Sequence, residues 1–152
     1  MSPSDVEAFL REHIPLTRAL GCSVVSADFS GVRLRAPLAP NVNPHGTAFA
    51  GSLASLAVMC GWVWVVLALR GHGEEGPVVV RRCEVDYLAP VESDFEIHCR
   101  APESAAWQTF TNTIARRGRA RLVLRAMIST HEGIIKVRTK CEYAARRGAP
   151  EA

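Results

Sequence analysis

The first residues have the spacing of a short amphipathic helix. Ser4 followed by Glu7 predicts a capping box at its start. One helical face then carries the apolar stripe of Val6, Phe9, Leu10 and His13. Pro15 is expected to end the helix, and a further turn over residues 16–20 is predicted to close at the glycine that follows.

Six later segments are predicted to be strands, the first from its β-branched residues and the others chiefly from alternating apolar and polar positions. They cover residues 22–29, 32–36, 78–88, 94–100, 119–131 and 134–143. Ser30-Gly31 joins the first two and Glu132-Gly133 joins the last two, so each pair predicts a hairpin. Residues 103–115, which include Trp107 and Phe110, are predicted to form a helix or a wide turn.

One segment is apolar on every face. No charged residue occurs from Ala48 to Leu69, and a helix of that length could cross a bilayer. Small residues interrupt it, and Trp62 and Trp64 fall in its middle rather than at its ends, where membrane-interface tryptophans belong. We therefore predict a buried core helix in a soluble protein, with no membrane span.

The order of elements is a helix, two strands, the long apolar helix and then four strands, which is an α+β pattern. A helix that is apolar all round must be covered on every side. A curved antiparallel sheet wrapped around it would do this, which is the hot-dog arrangement. The prediction is one domain over residues 1–152, with a frayed tail over residues 144–152.

Composition narrows the class of protein. The chain has 152 residues, 48% of them hydrophobic and 22% charged, as expected of one globular domain. The formal net charge of +3 is too small to indicate nucleic-acid binding, and the basic residues lack interleaved aromatics. The first dozen residues are polar and acidic, unlike a signal peptide, so we expect a cytoplasmic protein.

The cysteines indicate neither a metal site nor a redox motif. There are five, an odd number, and none forms a CxxC pair. No pair of cysteines or histidines has the spacing of zinc ligands. We expect buried free thiols in a reducing compartment, and no metal and no cofactor beyond a coenzyme A carried by the substrate. Cys60 in particular is predicted to be a core residue, because its surroundings are too apolar to lower a thiol pKa.

Three motifs resemble one known family. They are the loop and helix start from Asn41 to Ser52 (NVNPHGTAFAGS) with Gly61-Trp62 after it, the segment Tyr87-Leu88-Ala89-Pro90-Val91, and the run from Arg117 to Arg121 (RGRAR). Together they resemble the thioesterase domain of the YiiD C-terminal type, a branch of the hot-dog thioesterases. The resemblance covers roughly residues 10 to 145.

The resemblance implies a fold, an assembly and a substrate class. It implies hot-dog subunits that pair through a sheet edge, as a homodimer or a dimer of dimers. The active sites would lie at that interface, between the loop and central-helix start of one subunit and strands of the other. The implied substrates are small-molecule acyl thioesters carried on coenzyme A, or thioesters of acyl carrier protein.

One departure from related enzymes matters. Better-characterised hot-dog thioesterases carry an aspartate or glutamate on the central helix, but residues 53–69 here contain no acid. Many also enter that helix through His-Gly-Gly, where this chain has Phe49-Ala50-Gly51. Hydrolysis would therefore need another general base. The alternative is a non-catalytic protein that binds an acyl thioester, or a dehydratase-like relative.

The candidate catalytic residues come from this comparison and from their chemistry. His45 is the candidate base, since histidine exchanges protons near neutral pH; its alternative is an exposed loop histidine. Asn43 could orient water or the thioester carbonyl, or could merely form a turn before Pro44. Asp86, on the polar face of its strand, could replace the missing acid from across the subunit interface, or could simply be solvated.

The start of the long helix is the candidate site for the substrate carbonyl. The backbone N–H groups near Ala50 and Gly51 could stabilise an oxyanion, because they stand at a helix amino terminus. Ser52 and Ser55, on different helix faces, could bind water or a carbonyl, although neither lies in a serine-hydrolase elbow. Tyr87 is a further candidate for substrate binding.

A basic cluster is the candidate site for phosphates. Arg116, Arg117, Arg119 and Arg121 lie within six positions. Guanidinium groups bind phosphate through charge-assisted hydrogen bonds, so the cluster could hold coenzyme A. The alternative is a solvated strand face.

Overall fold

Four α-helices, a short 3-10 helix (Ala39–Asn41) and six strands make up the computed structural model, which describes residues 1–148. The helices are α1 (Pro3–His13), α2 (Leu16–Ala19), α3 (Ala50–Gly71) and α4 (Ser104–Arg117). The strands are β1 (Ser23–Asp28), β2 (Gly31–Ala36), β3 (Val78–Tyr87), β4 (Phe95–Arg100), β5 (Arg119–Thr130) and β6 (Ile135–Arg146). Both predicted hairpins form, and the segment around Trp107 is a regular helix.

The six strands form one antiparallel sheet in the order β1-β2-β4-β5-β6-β3. The apolar positions of β2, β4, β5 and β6 are buried against α3, and the polar positions between them face away from it. We call these two sides the inner and outer faces of the sheet. In the most apolar 18-residue stretch of α3, 67% of the residues are buried inside the protein, so α3 is the core helix of a soluble protein.

A close contact fixes α3 against the sheet. Tyr143 on β6 is buried, and its hydroxyl donates a hydrogen bond of 2.8 Å to the carbonyl of Val58 in the middle of α3. A Cβ atom on Gly61 would overlap that hydroxyl and lie 2.8 Å from Cζ of the same ring. Glycine at position 61 therefore lets the tyrosine reach the helix backbone. Burial raises the pKa of Tyr143 far above its usual value.

The two edges of the sheet differ. At the β1 edge, α1 packs alongside, and Glu7 accepts a 2.9 Å hydrogen bond from the N–H of Val24. At the β3 edge no helix lies alongside within residues 1–148, and the side chains of Val79 and Val80 are 55% and 42% exposed. Sheet edges are usually covered or paired, so the β3 edge is the one open to another strand.

Two expectations for the chain are wrong in detail. The capping box of α1 is formed by Ser2 and Asp5 rather than Ser4 and Glu7, because the helix starts two residues earlier than predicted. The end of the chain is not frayed from residue 144: β6 runs to Arg146, and Arg147 makes an ion pair with Glu74 at 2.6 Å. Residues 149–152 of that predicted tail lie outside the described part.

Not all cysteines are free. Cys22, Cys60 and Cys99 are buried free thiols, as predicted. Cys83 and Cys141 stand directly opposite each other on β3 and β6 and are joined as a disulfide, so the expectation of a free thiol is wrong for this pair. Burial raises the pKa of Cys60 well above its usual value, which rules it out as a thiolate nucleophile.

Candidate active site

The amino terminus of α3 is the centre of the candidate site. Phe49 is its N-cap residue, and no side chain caps the helix there. Backbone N–H groups in the first turn of a helix have no partner within the helix, and the helix dipole adds partial positive charge. Ala50 is exposed and Gly51 is half-buried, so this end of the helix opens to the surface. It can accept the oxygen of a polarised carbonyl.

The loop before α3 is anchored by Asn41, which sequence reasoning did not single out. This side chain is buried, and its amide nitrogen donates to the carbonyls of Leu20 at 2.9 Å and Pro37 at 2.7 Å. The backbone carbonyl of Asn41 accepts from the N–H of Phe49 at 2.7 Å. Asn41 thus fixes the residue from which α3 starts.

Asn43 organises the loop itself. Its side-chain oxygen accepts from the backbone N–H groups of His45 and Thr47, at 2.8 and 3.3 Å. Its amide nitrogen donates to the Thr47 hydroxyl at 2.9 Å and the Ala48 carbonyl at 3.5 Å. These four contacts use the hydrogen-bonding capacity of the amide within the loop. The turn-forming alternative for Asn43 therefore describes its place in the structure.

His45 lies exposed at the tip of this loop. Its backbone N–H is fixed by Asn43, whereas its imidazole makes no hydrogen bond within residues 1–148. A histidine that acts as a base usually has its other ring nitrogen oriented by a carboxylate or carbonyl. Within one chain, that orienting group is absent from the described residues.

An aromatic ring covers Gly51. A Cβ atom at this position would overlap the edge of the Phe49 ring, with Cζ 2.9 Å away. The ring itself is on the surface, with 55% of Phe49 exposed. Glycine here lets the aromatic ring lie on the first turn of α3. The sequence signal was the replacement of His-Gly-Gly by Phe49-Ala50-Gly51.

Tyr87 brings the end of β3 to the same place. Its hydroxyl donates a 2.9 Å hydrogen bond to the carbonyl of Ala50, and the side chain remains 50% exposed. The structure thus brings these two candidate residues together within one chain. Together with Phe49, the tyrosine surrounds the helix start with a partly apolar surface.

The two serines differ in access. Ser52 is buried in the first turn of α3, whereas Ser55 is exposed one turn after Gly51. The prediction that they face different directions is confirmed. Only Ser55 is open to a ligand that lies along the surface of the helix.

Asp86 lies on the other side of the sheet. It is in register with Arg138 on β6, and the neighbouring Tyr87 is in register with the buried Val137. Side chains of directly paired residues share a face, so Asp86 projects from the outer face, whereas α3 lies on the inner face. In one chain this carboxylate is therefore separated from Gly51 by the sheet.

The arginine cluster is at the far end of the sheet. Arg119 pairs with Arg146 on β6, whereas Tyr87 pairs with Val137 on the same strand. These two β6 residues are nine positions apart, so Arg119 lies about 30 Å along the strand from the level of Tyr87. Arg117 and Arg121 flank it at the end of α4 and on β5. Within one chain, the arginine cluster and the start of α3 are too far apart to bind the phosphate and the thioester carbonyl of a substrate side by side.

The helix carries no acid that could act as a base. Arg70 is the one charged side chain on α3, at its carboxyl-terminal end. Val58 and Trp62 occupy the half-buried surface beyond Ser55. The described residues therefore supply carbonyl-binding groups at the helix start without a carboxylate beside them.

Comparison with solved structures defines the class of protein. The fold matches a protein of unknown function from Chlorobaculum tepidum TLS, with 30% identity, a TM-score of 0.89, and coverage of 97% of this chain and 98% of that one. It also matches a "putative thioesterase" from Shewanella oneidensis, with 26% identity, a TM-score of 0.83, and coverage of 95% and 96%. A thioesterase from Haemophilus influenzae has the same fold at 18% identity, with a TM-score of 0.77 and coverage of 97% and 92%.

The protein is therefore of the hot-dog thioesterase class, as the sequence predicted. Residues 4–147 match the model of the family described as "Putative thioesterase (yiiD_Cterm)". The chain belongs to this family.

Proposed function

We propose that this protein hydrolyses acyl thioesters carried on coenzyme A or acyl carrier protein. The observation that carries the proposal is the uncapped, surface-open start of α3 in a chain of a thioesterase family. The N–H groups of the first turn, at Ala50 and Gly51, would polarise the thioester carbonyl. Water would attack its carbon, the carbon–sulfur bond would break, and the thiol would leave with a proton. The products are a carboxylic acid and the free thiol.

The site we propose is shared between two copies of the chain. The open β3 edge, with its exposed valines, is suited to pairing with the β3 edge of a second copy. Antiparallel pairing would set the carboxyl end of one β3, with Tyr87, beside the amino end of the other. The partner's arginine cluster lies at that amino end, close to Val78 in register. Arg117, at the end of α4, could then hold coenzyme A phosphates across the interface, whereas Arg119 and Arg121 project from the outer face of β5.

Pairing through β3 does not favour Asp86 as the base. A sheet continued across the interface keeps its outer faces on one side, so Asp86 of either copy stays opposite to both α3 helices. His45 is the base we retain, with its orienting group supplied by the second copy. We place this activity in the cytoplasm on the ground of the free thiols of Cys22, Cys60 and Cys99, with the Cys83–Cys141 disulfide as an exception to the usual state of cysteines there.

The second candidate is a protein that binds acyl thioesters without hydrolysing them. The absence of acidic side chains from α3 favours it, since a carbonyl-binding site without a base would hold the substrate unchanged. The two candidates predict the same binding and differ only in turnover. Binding should therefore be measured apart from hydrolysis, with a thioether analogue of acyl-CoA that cannot be cleaved.

The first test is replacement of His45 by alanine, with hydrolysis followed on acyl-CoAs from acetyl to palmitoyl. We expect kcat/KM to fall by roughly 100-fold, the lower end of the contribution of a general base. His131→Ala is the matched control, because His131 is also exposed but lies in the turn after β5. Equal turnover in the wild-type and His45→Ala proteins would remove His45 from the chemistry. Tight binding of the thioether analogue with no turnover in the wild type would establish the binding protein instead.

A further inference from the structure

Three cations stand side by side on the outer face of the sheet. Arg125 on β5 is directly opposite Lys140 on β6. Arg100 follows Cys99, which is opposite Ala126, and so lies level with Arg125 on β4. We call Arg100, Arg125 and Lys140 the central basic row. All three are exposed, and none takes part in the ion pairs found within residues 1–148.

The fold itself gains nothing from this row. Like charges placed directly opposite each other on neighbouring strands destabilise a sheet. On the β2 side Arg100 faces Gly31, which offers no side chain, and on the β3 side Glu84 faces Lys140 beyond ion-pair distance. Glu84 compensates Lys140 in part, but Arg100 and Arg125 have no carboxylate directly opposite them, which indicates selection for a property other than stability.

One member of the row, Arg100, acts on a neighbouring histidine. His98 lies on β4 beside Arg33 and Arg100 and is part-buried. Burial and the two arginines lower the pKa of His98, although Glu96 acts in the opposite direction. Glu96 itself is held by Arg33 and Arg35, so it does not neutralise the row.

The surroundings favour a protein as the occupant of this face. Val123 and Met127 flank Arg125 on β5 and add partly exposed apolar surface. Arginine and methionine are enriched in protein interfaces. The outer positions of β4, β5 and β6 include no Phe, Tyr or Trp on which nucleic-acid bases could stack. A second copy docked by the same face would bring like charges together.

We propose that the outer face of β4, β5 and β6 is a docking surface for a partner protein that presents an acidic helix. Acidic residues three or four positions apart on a helix recur about every 5–6 Å. The strands of a sheet are spaced by about 4.8 Å. A helix that lies across the strands can therefore place successive carboxylates near Arg100, Arg125 and Lys140. This proposal does not depend on the proposed hydrolysis.

The test is Arg125→Glu in the full chain, with binding of a fluorescein-labelled helical peptide that carries glutamate at every third or fourth position. We expect the Kd of the peptide at low salt to rise at least about tenfold, because electrostatic complementarity is lost. The melting temperature should stay the same or rise, since the new carboxylate faces Arg100 and Lys140. Arg18→Glu, which changes an exposed arginine on α2, should leave the Kd unchanged.

Other probes decide between the possible occupants. A peptide with glutamine in place of glutamate should bind at least about tenfold more weakly than the glutamate peptide. In an NMR titration, binding of the acidic peptide should raise the pKa of His98. Equal binding of the glutamate peptide by wild type and Arg125→Glu would overturn the proposal. The proposal would also be overturned, in favour of nucleic acid, if an RNA duplex bound more tightly than the glutamate peptide and Arg125→Glu lost that binding. If Arg125→Glu sedimented as a smaller oligomer than the wild type, the face would be a contact between copies of the chain and the proposal would fail.

Discussion

Gly61→Ala is expected to lower the free energy of unfolding by about 2–3 kcal/mol. The new methyl group would overlap the hydroxyl of Tyr143, which is buried and bonded to the carbonyl of Val58. Because the ring cannot move outward, either the hydrogen bond or the packing of α3 against β6 must give way. The better helix propensity of alanine returns about 1 kcal/mol of this cost. Urea denaturation at matched protein concentration measures the difference.

Gly51→Ala is the matched control in the same helix. Its methyl group would also overlap an aromatic ring, but Phe49 is exposed and can swing away. We expect a change within about 1 kcal/mol, of either sign. The double variant Gly61→Ala/Tyr143→Phe should recover part of the loss, since the hydroxyl is removed and Cζ remains close. Equal effects of the two glycine substitutions would show that Tyr143 does not constrain position 61.

The architecture was predictable because the hydrophobic pattern of each element shows directly which of its faces are buried. Strands such as β6 alternate strictly, with Val137, Thr139, Cys141 and Tyr143 on the inner face, and α3 is apolar on every side. Only a sheet wrapped around the helix buries all these faces. Element ends were less predictable: Ser2 and Ser4 both suit a cap, and the choice depends on which first turn packs against the rest of the protein.

The candidate site was predictable in place but not in roles. The loop and helix start lie together as expected, and Tyr87 reaches Ala50. The amide of Asn43 proved to be engaged within its own loop, and Asp86 projects from the outer face. Sequence alone could not decide these points, because a side chain with several possible partners is assigned only when the backbone around it is placed. Strand register determines which residues share a face of the sheet, and so it determines the face from which Asp86 projects.

The largest effect on activity is expected from charge on the β3 edge. In Val79→Lys/Val80→Lys, two exposed apolar side chains on the open edge become lysines, the residue that natural edge strands use to prevent pairing. If β3 joins two copies, the wild type sediments as a dimer and the variant as a monomer. Acyl-CoA hydrolysis should fall to the uncatalysed level, because each helix start loses the partner subunit's Arg117 and the group that orients His45.

Val123→Lys controls for added charge alone. Val123 is also exposed, but it lies on β5, in the interior of the sheet, where no strand can be added. This variant should remain dimeric and keep its turnover, and circular dichroism should show the same fold in all three proteins. A monomeric edge variant with full turnover would mean that one chain holds a complete site. An edge variant that stays dimeric would mean that the copies meet elsewhere, and the phosphate site across the β3 edge would have to be abandoned.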